Sequence, residues 1–131
     1  MSREGLDVLD EADCYIHLRS RSLGRVGVHI ADDLAVLPVY YALLEHDIVF
    51  RTSPGTKLTA AVLGARVAFE VDSASPGWSV LVIGHASEVT DQHEQVEAQA
   101  KLGHDWPAGE RDHLVRIRAE RVTGRRLRTA S

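Results

Sequence analysis

The sequence predicts a mainly β fold, a small six-stranded antiparallel barrel with peripheral helices. Three observations carry this. Six strand-like runs follow one another mostly through short turns, which favours antiparallel neighbours. The helical segments fall at the start of the chain and between strands rather than alternating with them, so a doubly wound parallel sheet is not expected. A glycine, Gly84, sits in the middle of the longest strand-like run, where a closing barrel needs a bend or a bulge.

The elements follow in order. A first helix is expected over about residues 10–19, with Leu9 just before it and Cys14, Ile16 and Leu18 inside. "GRVGVHIA" alternates, with Val26, Val28 and Ile30 on one face and Arg25, Gly27 and His29 on the other, as in a half-buried strand. "ADD" turns the chain into "LAVLPVYYAL", which is apolar almost throughout and therefore predicts a strand buried on both faces. Pro38 within it has no N–H to donate, which calls for an edge or a bulge at that point. "LEHD" is a second turn and "IVFR" a third strand.

"FRTSPGTKL" then leads into a helix that runs to about Leu63, with Gly64 placed to stop it. "RVAFEVD" is a strand whose Val67, Phe69 and Val71 oppose Ala68 and Glu70. "SASPG" reads as a loop and "WSVLVIGHASEVT" as the long strand. "DQHEQVEAQAKL" is a helix capped by Asp91, and "GHDWPAGE" a loop. "DHLVRIRAERVTG" alternates again, with Val115, Ile117 and Ala119 opposite Arg116, Arg118 and Glu120.

At 131 residues the chain suits one domain over residues 1–131, with a core of about residues 9–126. Its net charge of −4 gives no global basic field for nucleic acid, and no apolar run approaches the ~20 residues of a membrane span. The acidic start lacks the pattern of a secretory signal, so a cytoplasmic location is expected. Cys14 is the only cysteine, which excludes an internal disulfide and a cysteine metal cluster. The histidines show no paired spacing for a metal, and none is expected. Arginines crowd the end of the chain, at Arg111, Arg116, Arg118, Arg121, Arg125, Arg126 and Arg128. They read as a solvated strand face and tail, with a local anion contact as the alternative.

The stretch of chemical interest is "FRTSPGTKL". Ser53 followed by Pro54 is a helix-start signal, serine as cap and proline at the first helical position. Gly55 permits close approach of a ligand to the backbone. A helix start attracts phosphate, Thr52, Ser53 and Thr56 add hydroxyls, and Arg51 and Lys57 add positive charge. A monophosphate matches this set; a capped helix whose two cations face water is the plain alternative. Tyr40, Tyr41, Trp78 and Ser79 add a nearby surface able to line a planar ligand, or to pack in a core or interface. His29, His85 and His113 lie on strands, as structural residues or as proton donors.

With these motifs in view, the chain resembles the pyridoxamine 5'-phosphate oxidase-like, FMN-binding split barrels. It looks most like small actinobacterial members related to nitroimidazole reductases. The resemblance rests on "LGRVGV", "LPVYYALLEHDIVFRTSPGTKL", "VAFEVD", "GWSVLVIGHASEVTD" and "IRAERVTGRR", in that order, from about Leu9 to Arg126. It implies a six-stranded antiparallel split barrel, paired as a homodimer that builds two flavin sites at its interface. It places Val36 to Tyr41, including Pro38 and Val39, along the flavin ring. It puts Arg51 and Thr52 on ring or phosphate, Lys57 on the phosphate, and Ser79 on the flavin after Trp78.

The implied activity is FMN-dependent transfer of hydride or electrons to a small substrate. One alternative is a deazaflavin coenzyme on the same fold, served by the C-terminal arginines. Another is a non-catalytic flavin-binding or storage module. Tyr40, where related members often carry asparagine, and Leu58, where the pattern has a basic residue, favour the last.

Overall fold

The computed structural model describes residues 7–103 and 112–127. In chain order the elements are β1 (Val8–Leu9), α1 (Glu11–Arg19), β2 (Leu23–Ile30), β3 (Asp33–Leu44), β4 (Asp47–Thr52), α2 (Lys57–Val62), β5 (Arg66–Ala74), β6 (Gly77–Glu88), α3 (Gln92–Leu102) and β7 (His113–Arg126). The strands follow the order β1-β7-β4-β3-β2-β5-β6, and a β6–β7 pairing closes β2 to β7 into a six-stranded barrel, antiparallel at every seam. β1 is an extra strand on the edge of β7. The loop expected over "GHDWPAGE" lies, beyond Gly103, outside the described residues, as do Arg111 and Arg128.

Alternation builds the barrel interior. Val26 and Val28, Val39 and Tyr41, Ile48 and Phe50, Val67, Phe69 and Val71, Val80 and Val82, and Val115 and Ile117 all point inward and are buried. Cys14, Tyr15 and Leu18 of α1 join this core. Asp10 caps α1 through the Asp13 N–H at 2.8 Å. The Tyr41 phenol donates to the Leu18 carbonyl at 2.6 Å and the Tyr15 phenol to His46 O at 2.8 Å, so α1 is tied to β3 and to the β3–β4 turn. The expected bend is present. The β6–β7 register shifts between Ile83 and Gly84, and a Cβ on Gly84 would lie 2.2 Å from the Arg118 carbonyl oxygen.

A smaller cluster, Leu44, Val49, Val89, Ala98 and Leu114, lies outside the barrel beneath α3. Asp91 caps this helix through the Glu94 N–H at 2.9 Å. Arg116 is not a solvated side chain as the alternation implied. Its Nε donates to Asp47 Oδ2 at 2.7 Å, it also pairs with Glu94 of α3, and Asp47 Oδ1 accepts the Ala119 N–H at 3.0 Å. Burial by itself lowers the Arg116 pKa, but the hydrogen bonds and charges of Asp47 and Glu94 outweigh it and raise the pKa. The outward face of β7 is thus covered where α3 crosses it.

Two further expectations are corrected. β3 is not buried on both faces in this chain: Leu34, Val36 and Tyr40 are 70%, 68% and 52% exposed. The helix that covers the outer face, α3, packs over Ala42 and Leu44 and leaves residues 33–40 bare on that side. Residue 53 is not a helix cap. Gly55 has φ of +75°, a left-handed conformation no helical turn accepts, so Pro54–Gly55 is a turn. α2 starts after it, with Thr56 Oγ1 accepting the Thr59 N–H at 3.1 Å. The loop read at "SASPG" is also shorter than expected, because β5 runs to Ala74 and β6 resumes at Gly77.

Candidate functional site

The split between β3 and β4 positions the site. Residues 41–44 of β3 pair with β4, and residues 33–40 pair with β2. Beyond the Tyr41–Phe50 pair the two strands part, and Arg51 and Thr52 pair only with Leu114 and His113 of β7. Pro38 fits this opening. The Tyr41 N–H donates to Ser22 O at 2.9 Å, so strand alternation turns the Pro38 nitrogen away from β2, toward the open side. A residue with no N–H leaves no donor unpaired there.

The gap holds a groove of about 480 Å3, lined by Leu23, Pro38, Val39, Tyr40, Arg51, Thr52, Ser53, Thr56, Leu58 and Leu102. One wall is apolar and aromatic, from β2, β3 and the end of α3. The other carries Arg51 and three hydroxyl residues. Among the described residues no carboxylate pairs with Arg51. Thr52 is 4% exposed, and its Oγ1 has no hydrogen-bond partner. A buried hydroxyl left unpaired costs about 1–3 kcal/mol, and strand alternation puts Thr52 on the same face of β4 as the inward Ile48 and Phe50, with Arg51 on the other. The Thr56 hydroxyl is engaged internally, donating to the Ser53 carbonyl at 3.0 Å, and the Thr59 hydroxyl reaches the same carbonyl at 2.7 Å.

Of the residues singled out from sequence, the groove thus brings together Pro38, Val39, Tyr40, Arg51, Thr52, Ser53 and Thr56. Others lie elsewhere. Lys57 lines a separate shallow groove with His29, Ala60 and Ala61, so the two cations of "FRTSPGTKL" do not flank one point. Gly55 takes the left-handed conformation of the turn, and a Cβ built on it would meet open space. Val36 projects from the bare face of β3 beside Leu34. Tyr41 points into the barrel, edge-on to Phe69 at 4.9 Å between centroids. Burial pushes its phenol pKa well above the ordinary value, which the charge of Arg21 offsets only in part.

Trp78 is 3% exposed and stacks on His17 at 4.4 Å. Ser79 donates to Glu70 Oε2 at 3.3 Å. Burial, and then the neighbouring Asp72, raise the Glu70 pKa, while Ser79 and Arg25 pull it down. Leu23 and Leu102 line the groove without having been anticipated. Leu102 had no local signal, since only the docking of α3 brings its last turn to the split. Among the described residues no three His, Cys, Asp or Glu side chains cluster as metal ligands, and no helix is long and apolar enough to cross a membrane.

Comparison with known proteins agrees with this fold. The family model described as pyridoxamine 5'-phosphate oxidase matches residues 10–126. The uncharacterized protein Rv0080 of Mycobacterium tuberculosis is 36% identical over 128 residues, covering 91% of this chain and 84% of that protein. Among solved structures, the FAD binding protein from Mycobacterium smegmatis superposes with a TM-score of 0.86 at 34% identity, covering 94% of this chain and 99% of that one. An FAD-binding protein from Mesorhizobium loti gives a TM-score of 0.75 at 27% identity, covering 90% and 93% of the two chains.

Proposed function

Because the chain belongs to the pyridoxamine 5'-phosphate oxidase family, its model match spanning residues 10–126, we propose that it binds a flavin nucleotide at the β3–β4 split and acts as an oxidoreductase. The observation that carries the reading is a groove lined by Arg51, which pairs with no carboxylate among the described residues, and by the hydroxyl residues Thr52, Ser53 and Thr56, together with the apolar and aromatic Leu23, Pro38, Val39, Tyr40, Leu58 and Leu102. A flavin mononucleotide unit has that two-sided character, a flat ring system joined to a phosphate. Two similar solved proteins are named as FAD-binding, which supports a flavin as the ligand class.

In this reading Pro38, Val39 and Tyr40 flank the ring, Leu23 and Leu102 exclude water from its edge, and Arg51 with the Thr52 and Ser53 hydroxyls holds the phosphate. The bound flavin supplies the hydride or electron transfer, and the chain supplies binding, orientation and electrostatics. The bare apolar face of Leu34, Val36 and Tyr40 next to the groove supports a homodimer in which a second copy covers that face and completes the site. The deazaflavin alternative leaned on the C-terminal arginines. None of Arg116, Arg118, Arg121, Arg125 or Arg126 lines the groove.

The test is reconstitution. The purified chain is titrated with FMN and with FAD, and flavin fluorescence and absorbance are followed. Quenching with a micromolar or tighter Kd, then turnover with a nicotinamide donor and an electron acceptor, is the expected result. Failure to take up any flavin ends the proposal. Tight uptake without turnover by any donor or acceptor replaces the oxidoreductase with a flavin-storage module.

A further inference from the structure

The groove at the split does not end at Tyr40. Three pairs of chain neighbours, Ser22–Leu23, Tyr40–Tyr41 and Lys101–Leu102, each give one residue to its wall and the other to the wall of a second groove of about 370 Å3. The two grooves therefore adjoin around the last turn of α3. The second is cationic: Arg19, Arg21 and Lys101 line it against a single carboxylate, Glu45. In a chain of net charge −4 this is a local reversal of sign.

The partners of these cations are informative. Lys101 pairs with Glu97 at 3.4 Å. Among the described residues no carboxylate makes an ion pair with Arg19 or Arg21. Arg19 lies 5.9 Å from the Tyr15 ring centroid, and Arg21 lies 5.5 Å from that of Trp78 and donates to Ser73 Oγ at 3.3 Å. Both guanidinium groups thus lie near aromatic rings and, among the described residues, without a carboxylate in ion-pair contact, and a guanidinium fork suits phosphate oxygens. Among the described residues the first groove carries one cation, Arg51. A mononucleotide uses that groove alone, whereas a dinucleotide has a second phosphate and an adenosine to place beyond it.

We infer that the groove lined by Arg19, Arg21 and Lys101 is the subsite for the adenylate half of a flavin dinucleotide, so that this chain selects FAD over FMN. The inference rests on the flavin reading of the first groove. The adenylate phosphate meets Arg19 and Arg21, and the adenosine occupies the space between the end of α1, β3 and α3. The deeper side of that groove is formed by Leu18, Tyr41 and Leu43.

The experiment compares FMN and FAD on the unmodified chain by fluorescence quenching, with adenosine 5'-monophosphate as competitor. FAD is expected to bind at least tenfold tighter than FMN, and the monophosphate to weaken FAD but not FMN. In the R19Q/R21Q variant, and separately in K101Q, whose side chain is exposed and whose ion pair among the described residues is with Glu97, the FAD-to-FMN ratio is expected to fall toward one. Thermal unfolding of each variant shows that it is folded. Equal affinity for FMN and FAD in the unmodified chain, or a ratio that survives in all the variants, overturns the inference while leaving the flavin proposal standing. Binding of neither flavin overturns both.

Discussion

Tyr41 and Phe50 form the last registered pair between β3 and β4, and the strands part immediately beyond them. Everything proposed for this chain depends on that divergence. It leaves Pro38 to Tyr40 on one side and Arg51 to Ser53 on the other without a shared ladder, and the space between them is the groove.

Arg51 and Lys57 are separable. Arg51 lines the main groove and Lys57 a different one. R51Q should weaken flavin binding about 10- to 100-fold, the loss of a hydrogen bond to a charged group, ~1.5–3 kcal/mol. K57Q should stay within about twofold of the unmodified chain. Isothermal titration with FAD and FMN reads both, and a larger loss in K57Q would reverse the assignment.

Thr52 should behave with opposite signs in the two states. T52V removes a buried hydroxyl that has no partner, so the flavin-free chain should be as stable or more stable, by up to ~1–3 kcal/mol in urea unfolding. Flavin affinity should fall at least severalfold in the same variant. A loss of stability in the flavin-free form would show that the hydroxyl is satisfied in solution.

Tyr41 sets an alkaline limit. An unfolded tyrosine ionises near pH ~10. In the fold, burial raises the Tyr41 pKa well above that. The unfolded chain therefore releases the proton first. The stability tied to the neutral phenol is complete below about pH 10 and drains as pH rises toward the folded value. Y41F should flatten this decline between about pH 9.5 and 11.5 in urea titrations. At pH 7 it should cost ~1–2 kcal/mol, because the Leu18 carbonyl, in the last turn of α1, loses its donor.

Asp47 holds three elements through Arg116, Glu94 and the Ala119 N–H. Its side chain is 13% exposed and that of Arg116 15%, so removing Asp47 leaves a largely buried guanidinium with Glu94 as its remaining carboxylate and the Ala119 N–H without its acceptor. D47A should cost about 1.5–3 kcal/mol of stability in denaturant unfolding, the loss of hydrogen bonds to a charged group. Because α3 carries Leu102 to the groove, D47A should also weaken flavin binding in whatever fraction remains folded at low denaturant. A change under 1 kcal/mol would mean that the hydrophobic cluster beneath α3 alone fixes that helix.

The barrel was legible because its signals are local. Alternation in "GRVGVHIA" and "RVAFEVD" put Val26, Val28, Val67, Phe69 and Val71 inside, as observed. Gly84 marked the register shift with β7, Pro38 the open edge, and Asp91 and Gly64 the helix limits. Where local rules competed, the sequence misled. Ser53–Pro54 satisfied the rules for a helix start, but the left-handed Gly55 obeyed the rules for a turn, and the turn prevailed because its φ admits no helical continuation. Arg116 alternated as an outward residue, yet outward here means beneath α3.

By itself the sequence determined most of the strands, the inward faces of β2 and β5 and the antiparallel barrel, and it pointed to Val36, Pro38 to Tyr41, Arg51 to Ser53, Gly55 to Lys57, Trp78 and Ser79 as candidate site residues. Periodicity, turn chemistry and residue type act over a few neighbours, so a single chain states them directly. Only the tertiary structure decided that Arg51 and Lys57 face different spaces, that Tyr41 and Trp78 serve the core, and that Leu102 from α3 closes the groove. Those outcomes depend on where β3 leaves β4 and where a distant helix comes to rest. Contacts between residues tens of positions apart are set by how whole faces pack, and no local pattern encodes them.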